Sequence, residues 1–410
     1  MNKKSSDTNS ALLDSTGELP ALLPADAPPP TSLQPLGLPQ RRLNAHFYKN
    51  AIEPRQLINA FLRHSSPEIC TLELSSSRIP GYTAQGELLG YMLASACKFW
   101  PGLKRVYKSQ FLRKRTLFVG TTATEYLVSP AIENIPALIL ELKLQMQKRN
   151  TDLLVLKDIP EESPLLPREE NTQAQKLMQF CEQSGEFSLI SGKSLAYFPI
   201  DFSNIEEYLA ALEPARATDL QNKFKSKENV DVIQLFTGDR FFYDPTVLQE
   251  LYQLYSNSYE QAQSQSAYTS VAALFTGPKQ TPNYFHDLLL DESNCGVVFL
   301  YRVQNQLIGF NLSFAHRQNL ICKYSGFANP LASKFNLAEV SLLTNLDHAC
   351  RNDFKFYIEG TLDYEAKSSI GARFTNTRHA VFIANPLLRG LIKSMSKQQA
   401  SIQPSVAEVQ

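Results

Sequence analysis

Between Lys323 and Lys367 the chain gathers residues able to move protons and hold anions: Lys323, Tyr324, Glu359, Tyr364, Glu365 and Lys367. A carboxylate can accept a proton, a phenol can donate one, and an ammonium can hold an oxyanion. Tyr364 and Lys367, three apart, share a face if that stretch is helical; Glu365 and Lys367, two apart, do not. A second set, Arg216, Lys223 and Lys225, lies on one helical stretch and could steer an anion or simply face solvent. The densest basic run is Lys104, Arg105, Lys108, Arg113, Lys114 and Arg115. It could approach phosphate groups, or face solvent alone. Six histidines lack metal-ligand spacing, and six cysteines carry no Cys-x-x-Cys pair, so no zinc site or disulfide framework is expected. P-loop, dinucleotide, His-Glu-x-x-His and Gly-x-Ser-x-Gly motifs are missing from the sequence.

The chain has 410 residues with 40 Lys+Arg and 40 Asp+Glu, a formal net charge of zero. A dedicated nucleic-acid binder draws its affinity from neutralised phosphates, so that class is disfavoured and DNA is not an expected partner. At 43% hydrophobic and 20% charged, the composition is that of a folded chain rather than a disordered or membrane-embedded one. The most apolar run, Ile135 to Leu144, is cut by Glu141 and Lys143 and is too short to span a bilayer. A soluble, cytoplasmic protein with reduced cysteines is expected. Residues 1–44, rich in proline, read as a disordered tail, with a second polar tail at 396–410. The remaining roughly 350 residues can bury a core without disulfide or metal staples.

The elements that must position the reactive residues follow from periodicity. In the first half, helices are expected over Glu87–Phe99, Ala131–Lys148 and Thr172–Ser184, with strands at Arg115–Val119 and Asp152–Lys157. A strand pair at Phe187–Ile190 and Ser194–Phe198 turns at Gly192. The second half opens with a helix at Ile205–Phe224, a strand at Val230–Phe236, and helices at Pro245–Gln261 and Asn283–Leu290. Three antiparallel strands follow, Gly296–Val303, Gln306–Phe314 and Leu320–Ser325, then an amphipathic helix, Leu337–Cys350. Strand Phe354–Glu359, helix Tyr364–Ile370, strand Arg378–Ile383 and helix Leu387–Met395 close the chain. This order predicts an α/β fold: a mixed, mostly antiparallel sheet flanked by helices, repeated in similar domains at 45–203 and 204–395.

Four stretches within residues 130–395 resemble the GNAT acyltransferase superfamily, in its tandem FemAB-like branch. They are Pro136–Lys143 with Leu156–Pro160; Tyr208–Leu212 leading into Arg216 and Asn222–Lys225; Lys323–Phe327 with Phe335–Leu337; and Gly360–Lys367 with Gly371, Ala372 and Asn385–Leu388. The resemblance implies two tandem GNAT-like domains. It also implies transfer of an acyl or aminoacyl group, from acyl-CoA or aminoacyl-tRNA, to an amine on a small molecule or peptide.

An attacking amine with a free pKa of about 10 needs a general base. The tetrahedral oxyanion needs a backbone N–H, which the GNAT fold supplies where two central strands splay. Tyr324 and Glu359 end neighbouring strands and are expected to face that splayed centre, under the helix carrying Tyr364, Glu365 and Lys367. Glu359 or Glu365 is the expected base and Tyr324 or Tyr364 the acid; Lys323, Lys367, Arg216 and Lys223 are expected to anchor donor or acceptor. Tyr324 reads equally as a packed strand aromatic, and the two carboxylates as a strand end and a salt-bridged helix residue. The loop Gly326–Lys334 has one glycine where a CoA pyrophosphate loop is glycine-rich. The competing function is a GNAT-like binding module that keeps a cleft but has lost donor binding. No metal is expected.

Overall fold

The order in which eleven strands hydrogen-bond shows how the two halves of the chain are joined. The structure, a computed structural model, describes residues 49, 51–64, 68–75, 77–96, 112–130, 132–265, 274–275, 279–360 and 367–402. In the first half, α1 (Arg55–Arg63) precedes β1 (Ile69–Glu73) and β2 (Arg78–Gly86), and α2 (Leu88–Ala96) leads to β3 (Lys114–Val119). Helix α3 (Ile135–Lys148) starts where Asn134 caps the Ala137 amide at 3.0 Å and Pro136 needs no donor. It crosses over to β4 (Leu153–Pro160), parallel to β3, and α4 (Arg168–Ser184) leads to β5 (Phe187–Pro199).

The second half begins with α5 (Ile205–Ala210), α6 (Pro214–Phe224), β6 (Asp231–Phe236), α7 (Pro245–Gln265) and α8 (Pro282–Leu289). The meander β7 (Gly296–Val303), β8 (Gln306–His316) and β9 (Asn319–Phe327) follows. Helices α9 (Leu331–Lys334) and α10 (Leu337–Arg351) cross over to β10 (Phe356–Ile358), parallel to β9. Strand β11 (Arg373–Ile383) and α11 (Pro386–Ile402) come last.

The sheet runs β1-β2-β3-β4-β11-β5-β10-β9-β8-β7-β6. Each half makes a three-strand meander, crosses over to a parallel fourth strand, and gives its last strand to the other half. Strand β11 lies beside β4, β5 lies beside β10, and the two exchanged strands pair antiparallel from Phe187↔Phe382 to Tyr197↔Arg373. The order is symmetrical about that pair, with β6 an additional edge strand. The tandem duplication is present in the topology, fused into one continuous sheet.

One face of the sheet carries a single core drawn from both halves, including Phe61, Leu89, Val155, Leu195, Phe285 and Phe310. The opposite face has two cores. Leu142, Leu154 and Phe382 belong to one, and Phe198, Tyr301, Leu343 and Tyr357 to the other.

Several expectations are corrected. The hairpin at Gly192 is a single strand, β5, because both of its arms pair with the one long strand β11. The helix expected over Ile205–Phe224 is divided, since Pro214 has no amide to continue α5 and starts α6 instead. The polar tail expected from 396 is helical to Ile402, and the described part of the first half includes α1, β1 and β2, which periodicity did not reveal. The tail at 1–44 and residues 403–410 lie outside the described residues. A cut at 203/204 falls between β5 and α5, yet β5 is hydrogen-bonded to two strands of the second half.

Helix α7 lies against β9 at Gly326, where a Cβ would come within 2.6 Å of the Leu254 carbonyl carbon and 2.7 Å of the Tyr255 nitrogen. Both are backbone atoms, so relief requires the helix to move. Gly326→Ala should lower the free energy of unfolding by about 1–3 kcal/mol, read from urea denaturation. An unchanged midpoint would show that α7 is not seated on this strand.

Candidate functional site

Three irregularities of the sheet fall in one place. On β4, Leu156 and Ile159 pair with Ala380 and Arg378, so Lys157 and Asp158 together oppose His379. On β5, Ser191 and Ser194 pair with Arg378 and Asn376, so Gly192 and Lys193 together oppose Thr377. On β9, Cys322 and Tyr324 pair with Ser313 and Leu312, leaving Lys323 as an extra residue. An inserted residue breaks the alternation of faces and re-aims side chains. Asp158 accommodates its bulge with φ +56°, a region that Asp tolerates. Gly192 accommodates its own by lacking the Cβ that would meet Thr377 Oγ1. Each bulge carries a lysine, and Lys157, Lys193 and Lys323 line one cavity of about 240 Å3.

The cavity opens where strands stop. The β3–β4 ladder ends at Val119↔Leu156, and the β9–β10 ladder ends at Ile321↔Ile358. Strand β4 continues to Pro160, opposite Thr377, while the chain leaving β10 reaches Gly360, whose carbonyl accepts the Ala196 N–H at 2.9 Å. The two repeats thus bring the carboxyl ends of their fourth strands toward each other along the β5–β11 pair. Ligands of α/β sheets gather outside such strand ends.

Charge pairing organises the walls. Buried Lys323 is ion-paired with Glu125 at 2.5 Å and with Glu53 at 3.3 Å, and Glu53 Oε1 also accepts the Glu125 backbone N–H at 2.6 Å. Burial pushes the Glu53 carboxyl up to about 7, and its Oε2 has no hydrogen-bond partner among the described residues. Burial works in the same direction on Glu125, but the ammonium groups of Lys323, then of Lys193 and Lys157, together outweigh it and hold that carboxyl below its usual range. Tyr324 shares a hydrogen bond with Tyr284 at 2.8 Å, and burial raises its phenol to about 12. Lys157 pairs with Asp158, whose amide donates to His379 Nδ1 at 2.9 Å. That bond, and burial that lowers His379 to about 4, make the imidazole a neutral acceptor. Among the described residues the Lys193 ammonium has no ion pair or hydrogen bond; burial and then the Lys157 charge lower its pKa.

Residues 220–368 match the family model of the acetyltransferase (GNAT) domain. That segment is similar to a GNAT domain. The bulge at Lys323 and both strands of the β9–β10 splay lie inside the matched segment. No curated protein sequence matches the chain. Among solved structures the chain is similar to L-PGS from Bacillus licheniformis, at 10% identity and a TM-score of 0.49, covering 86% of this chain and 98% of that one. It is also similar to the C-terminal DUF2156 domain of a putative lysylphosphatidylglycerol synthetase from Agrobacterium fabrum, at 9% identity and 0.48, covering 87% and 98%. FemX is similar at 10% identity and 0.46, covering 84% and 96%.

Within the matched segment, the expected centre is split between the two faces of the sheet. Tyr324 and Lys323 face the cavity, because the bulge puts two consecutive residues on one side. Glu359 follows Ile358 of the shared core and turns to the other face, beside Cys322, Tyr208 and Tyr357, where burial raises its pKa. Lys367 stays with it, donating to the Glu359 carbonyl at 2.5 Å. The described end of the expected roof, Lys367–Ile370, packs on that same face through a Tyr208 hydroxyl bonded to the Ile370 carbonyl. Tyr364 and Glu365 lie outside the described residues.

Arg216 and Lys223 are not brought to the cavity either. Lys223 pairs with Glu339 at 2.8 Å and Asp219 at 3.2 Å, and Arg216 approaches Asp219 at 3.9 Å. Of the basic run, Lys104, Arg105 and Lys108 lie outside the described residues, and Arg113–Arg115 stand at the start of β3, away from its carboxyl end. Sequence reasoning missed Glu53, Glu125, Lys157, Asp158 and Lys193, and found only that the histidines, His379 included, lack metal-ligand spacing. The available signal was Lys157-Asp158, two charges inside a strand buried along its whole length. Among the described residues no cluster of His, Cys, Asp and Glu could hold a metal, and no helix is long and apolar enough to cross a membrane.

A CoA pyrophosphate would need the amino end of α10 behind a loop with room for phosphate. Gly326 spends its missing side chain on contact with α7, and Asn336 donates to Ser226 Oγ at 2.9 Å. Glu339 already places a carboxylate in the first turn. This loop does not supply the cradle.

The Glu53 carboxyl, raised from 4.5 to about 7, makes a pH prediction. Its proton is held more tightly in the folded state, so the wild type loses stability as pH rises from about 4.5 to 7. Glu53→Gln lacks that titration. Relative to wild type it should gain on the order of 1–3 kcal/mol between pH 5 and pH 8, measured by urea denaturation. A difference that does not change with pH would refute the assignment.

Proposed function

We propose that the chain is an N-acyltransferase and that transfer takes place in the cavity shared by its two repeats. The observation that carries this reading is the bulge at Lys323, inside the GNAT segment and just past the last β9–β10 pair. Lys323 has no register partner in β8 or β10, so its backbone N–H is the donor we assign to the oxyanion of the tetrahedral intermediate. Glu125 borders the cavity as a carboxylate and takes the proton of the attacking ammonium. Behind it, Lys323 joins Glu125 to Glu53, which titrates near neutrality, so the triad can hold one further proton while the ammonium still balances a carboxylate. Tyr324, protonated at neutral pH, serves as the acid for the leaving group.

The single glycine of the loop before α10, taken up by contact with α7, favours aminoacyl-tRNA over acyl-CoA as donor. The acceptor is an amine, on a small molecule or a peptide. A module that merely binds would have no use for buried carboxylates and lysines arranged this way, since unpaired or imperfectly paired charges oppose folding.

Thermal-shift titration with charged tRNA, acetyl-CoA and longer acyl-CoAs tests the donor, because a ligand that binds only the folded state raises its melting temperature. Stabilisation by charged tRNA is expected. Glu125→Gln and Tyr324→Phe should each lower kcat by about 100- to 10,000-fold with circular dichroism unchanged. If no donor stabilises the protein, it is a binding module; if both variants turn over normally, the transfer site lies elsewhere.

A further inference from the structure

Among the described residues, the cavity is lined by three lysines and two acids, Glu125 and Asp158. Lys323 is satisfied by Glu125 and Glu53, and Lys157 by Asp158. Lys193 is left over. Glu125 and Asp158 attract its ammonium without contacting it, and burial outweighs that attraction; an ammonium taken partly out of water with no carboxylate in contact is costly. The position is built. Gly192 lets the β5 bulge close against Thr377, whose hydroxyl donates to the Lys193 carbonyl at 3.1 Å, fixing the backbone from which the ammonium projects. Nearby, Lys157 is close enough to depress the Lys193 pKa, so a group placed between them meets two positive charges. Thr122 lines the same cavity and adds a hydroxyl donor. The volume, about 240 Å3, is smaller than the clefts of roughly 300–1,000 Å3 that enclose whole drug-sized ligands, so it suits one headgroup of a larger molecule.

We propose that Lys193, seconded by Lys157, forms a subsite for an oxyanion, a carboxylate or a phosphate, carried by a substrate of the cavity. The subsite deepens the transfer reading and rests on the cavity being the place of reaction, but its own test needs no turnover. Inorganic phosphate and acetate are titrated into the full chain by thermal shift and calorimetry, against chloride at matched ionic strength. One of the two anions should stabilise the wild type beyond chloride, and which one identifies the group as phosphate or carboxylate.

Lys193→Gln should weaken that binding by at least about tenfold, the loss expected for one charged hydrogen bond. Its melting temperature without anion should be no lower than that of the wild type, because a partly desolvated charge with no ion pair has been removed. Lys193→Arg should keep the binding, and Lys148→Gln, on the exposed end of α3, should leave it unchanged. No stabilisation beyond chloride, or equal affinity in Lys193→Gln, overturns the subsite. Absence of anion binding by the wild type, with donor turnover intact, fails the subsite alone. Anion binding in a chain that shows no turnover with any donor fails the transfer reading alone.

Discussion

The structure depends on the antiparallel pairing of β5 with β11. Each strand belongs to one repeat by sequence and sits inside the other by hydrogen bonding, so neither half has a complete sheet of its own. Removing the exchange would leave β4 and β10 as open edges, the arrangement that invites non-native pairing. The same pairing sets the site. Because β4 and β10 run in opposite directions on either side of the long pair, their carboxyl ends point toward one another and not to opposite rims of the sheet. Two splayed strand pairs that in separate domains would lie far apart instead border a single cavity.

What fills that region is charge, and charge in a protein interior must be compensated. Lys323 is nearly inaccessible, and its attraction to two carboxylates offsets the cost of leaving water only because both are within reach at once. One carboxylate comes from the segment before α1 and the other from the loop after β3, so the interaction ties three distant parts of the sequence together. Glu125 keeps its charge and Glu53 holds its proton near neutrality, because Glu53 is the more deeply buried and Glu125 lies closer to the ammonium. On the β4 side, Lys157, Asp158 and His379 form a second buried set, with the imidazole accepting a backbone N–H and so remaining neutral.

Much of the architecture was legible in the chain. Apolar runs such as Gly296–Val303 and Gln306–Phe314 announce a meander, and the spacing of Leu337, Val340 and Leu343 announces α10. The exchange was not legible, because periodicity reports which residues are buried and not which strand lies beside which. The apparent turn at Gly192 shows the limit: a glycine read as a hairpin marks a close approach to Thr377 inside one strand. The site was hidden for a related reason. Alternation places Lys157 and Asp158 on opposite faces, and Lys323 opposite Tyr324, whereas the bulges bring each consecutive pair to the same side. By the same logic, regular alternation made Tyr324 and Glu359 partners when the sheet holds them apart.

The GNAT segment, 220–368, contains Lys323 and Tyr324 but none of Glu53, Glu125, Lys157 and Lys193. Taken alone, that segment would present a buried lysine with no carboxylate to balance it and a β10 with no β5 beside it. The first repeat is therefore not an appendage to a self-sufficient domain. It supplies the acids that allow Lys323 to stay charged in the interior, the strand that closes the sheet beside β10, and two of the three lysines around the cavity. Duplication has in this way divided the labour between sheet and charge: the second repeat brings the splay at which a backbone N–H is left over, and the first brings the titrating groups that could use it.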